Sequence, residues 1–175
     1  MKTLRLFLLA MAFIGLAACS NDDTPAPQGE LPDGYTFAQE NDQLVDGRMT
    51  GNLLFFGTST VTTIKTGEQF VDDKILFELT EDENGIIRML MHETKFAANM
   101  PALEMEVPGI PYTCEGKTLH MSVEQTIPEI AGTPYERYVI TELGGEVDNT
   151  SFTVTFSCMG AFKVVYQGKL IVKAA

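Results

Sequence analysis

Apolar and polar residues alternate along most of the chain beyond residue 35, with the two-residue period typical of β-strands. In 152–158, phenylalanine, valine and cysteine occupy every second position, and threonine and serine the positions between. The same alternation recurs in 75–80, 119–127 and 162–173. No window combines a 3.6-residue period with capping residues, as a helix would require. The pattern therefore predicts an all-β domain whose strands each have one buried and one solvated face.

Turn-forming residues separate these apolar runs. Asn84-Gly85 predicts a two-residue hairpin turn, because a type I′ turn needs positive φ at both central positions. Gly144-Gly145 marks another turn. The segment 99–111 contains three prolines and is expected to form a loop or a broken edge strand. These signals together predict eight or nine strands, near 49–57, 60–66, 74–81, 86–94, 103–107, 117–127, 136–143, 146–158 and 161–172.

The strand count is compatible with two architectures. Closure into an antiparallel eight- or nine-stranded β-barrel would remove the sheet edges that invite aggregation. An open sandwich would leave those edges to be protected in other ways. The barrel is the architecture that we expect.

The N-terminal segment has the composition of an export signal. Two positive charges precede an uncharged run at 6–18, which is shorter than the roughly 20 residues that a membrane-spanning helix needs. The sequence Leu-Ala-Ala-Cys at 16–19 resembles the lipobox of bacterial lipoproteins. This resemblance implies that residues 1–18 are a cleaved signal peptide and that Cys19 is the lipidated residue. An ordinary signal peptide with a cysteine near its cleavage site is the alternative.

Residues 19–34 are predicted to hold the lipidated Cys19 and a flexible acidic tether, since they are rich in proline, glycine and acids without an apolar period. The acidic cluster at 20–23 resembles the surface-export signal of lipoproteins from gut Bacteroidetes. Acyl chains on Cys19 would hold the protein on the membrane without a transmembrane helix. We therefore expect export to the outer membrane, with the domain exposed at the cell surface.

Three segments of the domain resemble a single family. The opening at 49–53, the middle segment 100–111 and the closing segment 162–170 are similar to those of the calycin-like β-barrel lipoproteins of Bacteroidetes. The resemblance implies one lipocalin-like barrel over residues 35–175 and no established activity. The chain contains no tryptophan, so it lacks the Gly-x-Trp motif that opens true lipocalins. Kinship with lipocalins is therefore expected at the level of the fold.

Charge and motif content argue against several classes of function. The chain has 12 Lys and Arg against 24 Asp and Glu, and this net charge of −12 disfavours nucleic acid as a partner. His92 and His120 lie on separate predicted strands, without the spacing of metal ligands. No P-loop, nucleophile elbow or dinucleotide-binding motif occurs. We therefore expect a non-catalytic protein without a metal or cofactor.

Cys114 and Cys158 are the two cysteines that remain if Cys19 is lipidated. An even number of cysteines in an exported protein favours a disulfide between them. Two unpaired thiols are the alternative, because a free cysteine behaves as a small hydrophobic residue.

Large apolar side chains occupy inward positions of several predicted strands. The candidate ligand-binding residues among them are Phe77, Met89, Met91, Met121 and Phe156. One interpretation is a deformable apolar pocket in the barrel mouth, which would bind a small apolar or amphipathic ligand. The other is ordinary core filling, since small barrels can be filled by their own side chains. In that second case the protein would be a solid surface lipoprotein whose partner is an envelope protein or a glycan.

Overall fold

A computed structural model of the protein describes residues 30–45 and 47–174. The described chain is all-β, as predicted, with one 3-10 helix at Glu136–Tyr138. Twelve of its strands form one antiparallel sheet, and β2 and β3 form a separate hairpin. The strands are β1 (Tyr35–Phe37), β2 (Leu44–Val45), β3 (Arg48–Met49), β4 (Leu53–Thr63), β5 (Gln69–Glu81), β6 (Ile87–Thr94), β7 (Leu103–Ile110), β8 (Tyr112–Glu115), β9 (Thr118–Thr126), β10 (Glu129–Ile130), β11 (Thr133–Pro134), β12 (Ile140–Asp148), β13 (Ser151–Cys158) and β14 (Phe162–Lys173).

The large sheet is a meander in which the first and last long strands, β4 and β14, pair with each other. Its order is β11-β10-β7-β6-β5-β4-β14-β13-β12-β9-β8, and β1 pairs with the end of β14. In the part of the chain that the structure describes, these ladders do not close into a ring. The sheet also has more strands than the eight or nine predicted, because short strands extend it at its ends.

Pro111 is the physical reason for the break between β7 and β8. Proline has no backbone N–H, and it divides one stretch of chain into β7, which pairs with β6, and β8, which pairs with β9. Two hydrogen bonds nevertheless join this stretch to β9 across the break. Thr126 Oγ1 donates to Pro108 O at 2.9 Å, and the Ser122 N–H donates to Pro111 O at 3.3 Å.

Several predicted turns are instead bulges within strands. Gly144 and Gly145 lie inside β12, where a register shift against β13 accompanies a positive φ of 54° at Glu142. The predicted strands 49–57 and 60–66 are largely the single strand β4. A bulge adds one residue to a strand without ending it, so a sequence pattern can mistake it for a turn.

The two other sequence-based expectations about turns need a smaller correction. The hairpin at Asn84-Gly85 is present, but the Asp82 N–H donates to Ile86 O, so its loop has three residues with Gly85 at a φ of 76°. The segment 99–111 is mostly strand β7, paired with β6 and bulged at Gly109, where φ is 75°. Pro108 is accommodated because the ladder shifts its register between Val107 and Ile110, and Pro101 and Pro111 lie outside β7.

Tyr166 lies at the centre of the buried side of the sheet. Its ring stacks on Phe77 with ring centroids 3.9 Å apart, and its hydroxyl donates to Phe55 O at 2.9 Å. A Cβ added to Gly168 would lie 2.5 Å from the Tyr166 hydroxyl oxygen, so glycine is needed for this close approach. Burial raises the pKa of Tyr166 well above its ordinary value, which keeps the hydroxyl a neutral donor.

Residues 38–45 and 47–52 cover one end of the sheet, which we name the closed end. Leu44 and Met49 are buried there and belong to the core cluster. The side-chain amide of Asn41, which is also buried, donates to Asn149 O at 2.9 Å, and the Asn41 backbone N–H donates to Asn149 Oδ1 at 3.1 Å. These bonds fix the covering segment to the turn between β12 and β13.

A polar cluster also ties β3 to the closed end. The Arg48 guanidinium donates to Glu81 Oε1, and the Tyr112 hydroxyl donates to Glu81 Oε2 at 2.8 Å. The Met49 N–H donates in turn to the Tyr112 oxygen at 3.2 Å. Burial raises the pKa of Tyr112, and the hydrogen bond to Glu81 raises the pKa of Arg48. The Tyr112 hydroxyl and the Arg48 guanidinium therefore stay protonated and can donate hydrogen bonds to Glu81.

Candidate ligand site at the mouth of the sheet

The five candidate ligand-binding residues lie in the packed interior. Phe77, Met89, Met91, Met121 and Phe156 are all between 0 and 3 % exposed and belong to one core cluster. Met121 also lines a surface groove of about 360 Å³, together with Tyr112 and His120. A ligand could reach the others only if the side chains packed against them moved. Their role in binding stays a prediction.

The end of the sheet opposite the closed end, which we name the mouth, is covered by residues 95–102. Phe96 of this covering segment is 1 % exposed, and its ring centroid lies 5.8 Å from that of Tyr138 and 5.9 Å from that of Phe162. Phe96 thus fills the mouth as an aromatic plug. Weak, non-directional contacts of this kind can be exchanged for equivalent contacts with another apolar group.

A cleft of about 350 Å³ lies between the covering segment and the turn that joins β4 to β5. Phe70, Phe96 and Ala97 contribute its apolar surface, and Gln69 and Asn99 are among its polar side chains. Its lining is Thr63, Glu68, Gln69, Phe70, Phe96, Ala97, Ala98 and Asn99. An apolar lining with a few polar groups is the usual composition of a small-molecule site.

The cleft exists because β6 leaves β5 before either strand has ended. The β5–β6 ladder stops at the pair Leu76–His92, although β5 extends back to Gln69. Glu93 then adopts a φ of 48°, and β6 turns toward β7. The Glu93 N–H donates to Glu104 Oε1 at 2.8 Å, which holds this unusual conformation in place.

A second cleft, of about 240 Å³, lies on the same side of β5, beside a bulge between Asp72 and Ile75 where the β4–β5 register shifts. Lys74, Lys95, Asp72 and Glu93 line it, so its positive and negative side chains balance. This cleft is therefore suited to a ligand with little net charge.

Carboxylates surround both histidines. His92 Nδ1 lies 3.0 Å from Glu104 Oε2 and its Nε2 lies 3.5 Å from Glu78 Oε2. The two carboxylates thus face different ring nitrogens and cannot share one metal ion with the imidazole. His120 lies elsewhere, with its Nδ1 3.0 Å from Glu146 Oε2. Within residues 30–45 and 47–174, no group of three or more ligating side chains is arranged to hold a metal.

Cys114 and Cys158 are free thiols, so the predicted disulfide is absent. Cys114 Sγ donates to Gly116 O near the closed end, whereas Cys158 Sγ donates to Tyr138 O at the mouth. Through the ladders of β8, β9, β12 and β13, Cys114 lies level with Phe152. Phe152 is six residues from Cys158 along β13, a distance of about 20 Å in an extended strand. A disulfide requires Cα atoms within about 7 Å, so these two cysteines cannot pair in this fold.

The predicted signal peptide and the lipidation site at Cys19 lie outside the described residues. Over the described part of the chain, no helix has the length and apolar character needed to cross a membrane. Comparisons with protein-family models, curated proteins and solved structures found nothing that matches this chain. The resemblance to calycin-like lipoproteins therefore stays a prediction from three sequence segments.

Sequence reasoning did not single out Phe70 or Phe96. Both flank predicted strands and neither belongs to a motif, so alternation alone gave them no special role. The available signal was the presence of large apolar residues close to turn-forming ones, such as Thr66-Gly67 before Phe70. Aromatic residues in that position can cover the end of a sheet as readily as they fill its centre.

Proposed function

We propose that this protein is a non-catalytic envelope lipoprotein, anchored through acyl chains on Cys19, that binds a small amphipathic ligand in the mouth cleft. The observation that carries the binding role is the 350 Å³ cleft, whose lining combines Phe70 and the plug residue Phe96 with polar side chains. An apolar ligand body would rest on the partly exposed ring of Phe70 and would reach the ring of Phe96 by displacing the side chains packed around it. Its polar head would meet side chains such as Asn99 and Gln69.

We also propose that the sheet wraps into a calycin-like barrel. The pairing of β4 with β14 supports this, because it joins the first and last long strands of the meander. The stretch β7–β8 supports it further, since it pairs with β6 on one side of Pro111 and with β9 on the other. Counted this way, eight strands would surround the core, and lipocalin-like barrels of that size hold a ligand at one open end.

The position of the tether supports an outward-facing mouth. Tyr35 pairs with Lys173 at the far end of β14, so the chain leaves the sheet at the closed end. β14 begins at Phe162 beside the mouth, 11 residues and about 37 Å away along an extended strand. An anchor at Cys19 would then hold the closed end nearer the membrane and leave the mouth accessible.

A tryptophan reporter tests the binding proposal, because the chain contains no tryptophan of its own. We expect the emission of Phe70→Trp in the purified full chain to change saturably on titration with decanoate. The matched control is Val172→Trp, at an exposed position of β14 near the closed end that does not line the mouth cleft. A silent Phe70→Trp, or an equal response from both variants, would overturn the proposal.

The packed interior favours a second candidate function. Phe77 and Tyr166 stack at the centre of the core, which fits a solid barrel that presents its surface to an envelope protein or a glycan. This candidate predicts that decanoate affects neither reporter.

A further inference from the structure

We infer that the ligand taken up at the mouth is an extended peptide, which adds as a strand to the free edge of β5. This inference rests on the proposed binding function and names the class of its ligand. It is carried by an unpaired strand edge that has clefts along its length. A polypeptide in extended form is the ligand whose own backbone repeats donors and acceptors at the spacing of such an edge.

The hydrogen-bond pattern of the β4–β5 hairpin identifies the free backbone groups. The Thr63 N–H donates to Glu68 O at 2.8 Å, so this residue pair is hydrogen-bonded. Hydrogen-bonded pairs alternate along an antiparallel ladder, so the N–H and C=O groups of Phe70 and Asp72 point toward β4. Those of Gln69 and Val71 point away from β4.

On its other side, β5 has no partner for these groups. The ladder with β6 begins only at Leu76, and among the described residues no backbone hydrogen bond reaches Gln69 or Val71 from the covering segment. An unpaired edge of this kind is a template for another strand. The two clefts of about 350 and 240 Å³ both lie along it, so there is space beside the edge.

Side chains on both faces of this edge suit an uncharged, apolar peptide. Phe70 and Phe96 lie on the inner side, and Val71 is 56 % exposed on the outer side. A strand inserted here would therefore find an apolar neighbour for alternate side chains in each direction. Lys74 and Lys95 are balanced by nearby acidic side chains, which disfavours a strongly charged peptide.

The covering segment favours a peptide over a second copy of this chain. Residues 96–99 line the mouth cleft opposite β5, so they stand across the space that a neighbouring sheet would occupy. A single extended strand can enter such a space, whereas the edge of a second folded domain would collide with the segment. The occupant that fits is thus one short strand rich in β-branched residues.

Removing the Val71 N–H tests the inference. Val71→Pro deletes a donor that faces the gap, and proline is tolerated on an edge strand whose N–H has no partner. The matched control is Val71→Thr, which keeps the N–H and a β-branched side chain. The probes are decanoate and an acetylated, amidated hexapeptide that alternates threonine and valine, measured by calorimetry on the full chain.

We expect the hexapeptide to bind Val71→Pro about tenfold more weakly than the unmodified protein, and Val71→Thr to bind it within about twofold. Decanoate should bind all three proteins alike, because it makes no backbone pairing. Equal hexapeptide affinity for Val71→Pro would overturn the strand-addition inference. Binding of decanoate but not of the hexapeptide would overturn it while leaving the proposed function intact. Binding of neither would overturn both.

Hydrogen exchange keeps the inference testable if Val71→Pro does not fold. In the unmodified protein, the hexapeptide should slow amide exchange at Val71 and leave the already paired amide of Phe70 unchanged. Unaltered exchange at Val71 under saturating hexapeptide would contradict the inference.

Discussion

At the closed end of the sheet, directional hydrogen bonds fix the covering residues, whereas at the mouth the contacts that hold the covering segment are mainly aromatic. Asn41 is bonded twice to Asn149, and Glu81 accepts hydrogen bonds from both Arg48 and Tyr112. At the mouth, Phe96 meets aromatic rings at centroid distances near 6 Å.

This difference shows how one sheet can combine a permanent closure with an exchangeable one. The hydrogen bonds of Asn41 are costly to disturb, because its side chain is buried and each broken bond leaves a group unsatisfied. An aromatic plug loses little if a ligand ring or alkyl chain replaces its neighbours. The polar end therefore suits attachment to the tether, and the aromatic end suits ligand exchange.

The largest expected effect is at the closed end, where Leu44→Ala should destabilise the fold. Leu44 is 3 % exposed and belongs to the core cluster, so its truncation should lower the free energy of unfolding by about 2–5 kcal/mol. Its neighbour Val45 is 45 % exposed, and Val45→Ala should change stability by about 0.5 kcal/mol or less. Denaturant titration of both variants checks this. Equal losses would mean that the N-terminal segment does not seal this end.

The alternation of residues was enough to predict which side of β13 is buried. Phe152, Val154 and Phe156 are all buried on β13, as the period of two requires. The positions at which β12 and β7 are bulged were not accessible in the same way. Bulges at Glu142 and Gly109 depend on how two strands register, which is a property of the pair and not of one strand.

The site was harder to predict than the fold for a related reason. The gap beside β5 arises where β6 turns away at Glu93, a conformation that depends on the carboxylate of Glu104 in another strand. The disulfide prediction was wrong because the number of cysteines does not indicate at which end of the sheet each cysteine lies. Cys114 and Cys158 lie near opposite ends of the sheet.

Alkaline pH should have an intermediate effect on the free energy of unfolding, because the buried thiol of Cys158 lies at the mouth. Burial raises the pKa of Cys158 from 9.0 to about 12, so the unfolded chain loses this proton at a lower pH than the folded one. The stability contributed by the neutral thiol is thus present below pH 9 and is lost as the pH rises toward 12. Between pH 9 and 10 we expect a loss of roughly 1 kcal/mol that Cys158→Ala does not show.

The control for this pH dependence is Cys114→Ala at the closed end. Burial raises the pKa of the partly buried Cys114 as well, but the fully buried Cys158 is the thiol whose pKa rises to about 12. Denaturant titrations at pH 8, 9 and 10 compare the slopes for the two variants. A slope in Cys158→Ala as steep as that of the unmodified protein would show that this thiol is not what titrates.

The smallest expected effect on the free energy of unfolding is at two residues with positive φ, one at each end of the sheet. Glu93 beside the mouth has a φ of 48° and Asn149 at the closed end has a φ of 49°. Glycine relieves the steric cost of this conformation, so Glu93→Gly should raise the free energy of unfolding by about 0.5–1 kcal/mol, since the Glu93 N–H still reaches Glu104. Asn149→Gly gains little relief, because asparagine already tolerates this conformation, and it removes the Oδ1 that accepts from Asn41, so its net effect should be a loss of about 0.5–1 kcal/mol. Thermal unfolding of the two variants measures the difference in sign, and a shared sign would mean that hydrogen bonding does not distinguish the two ends.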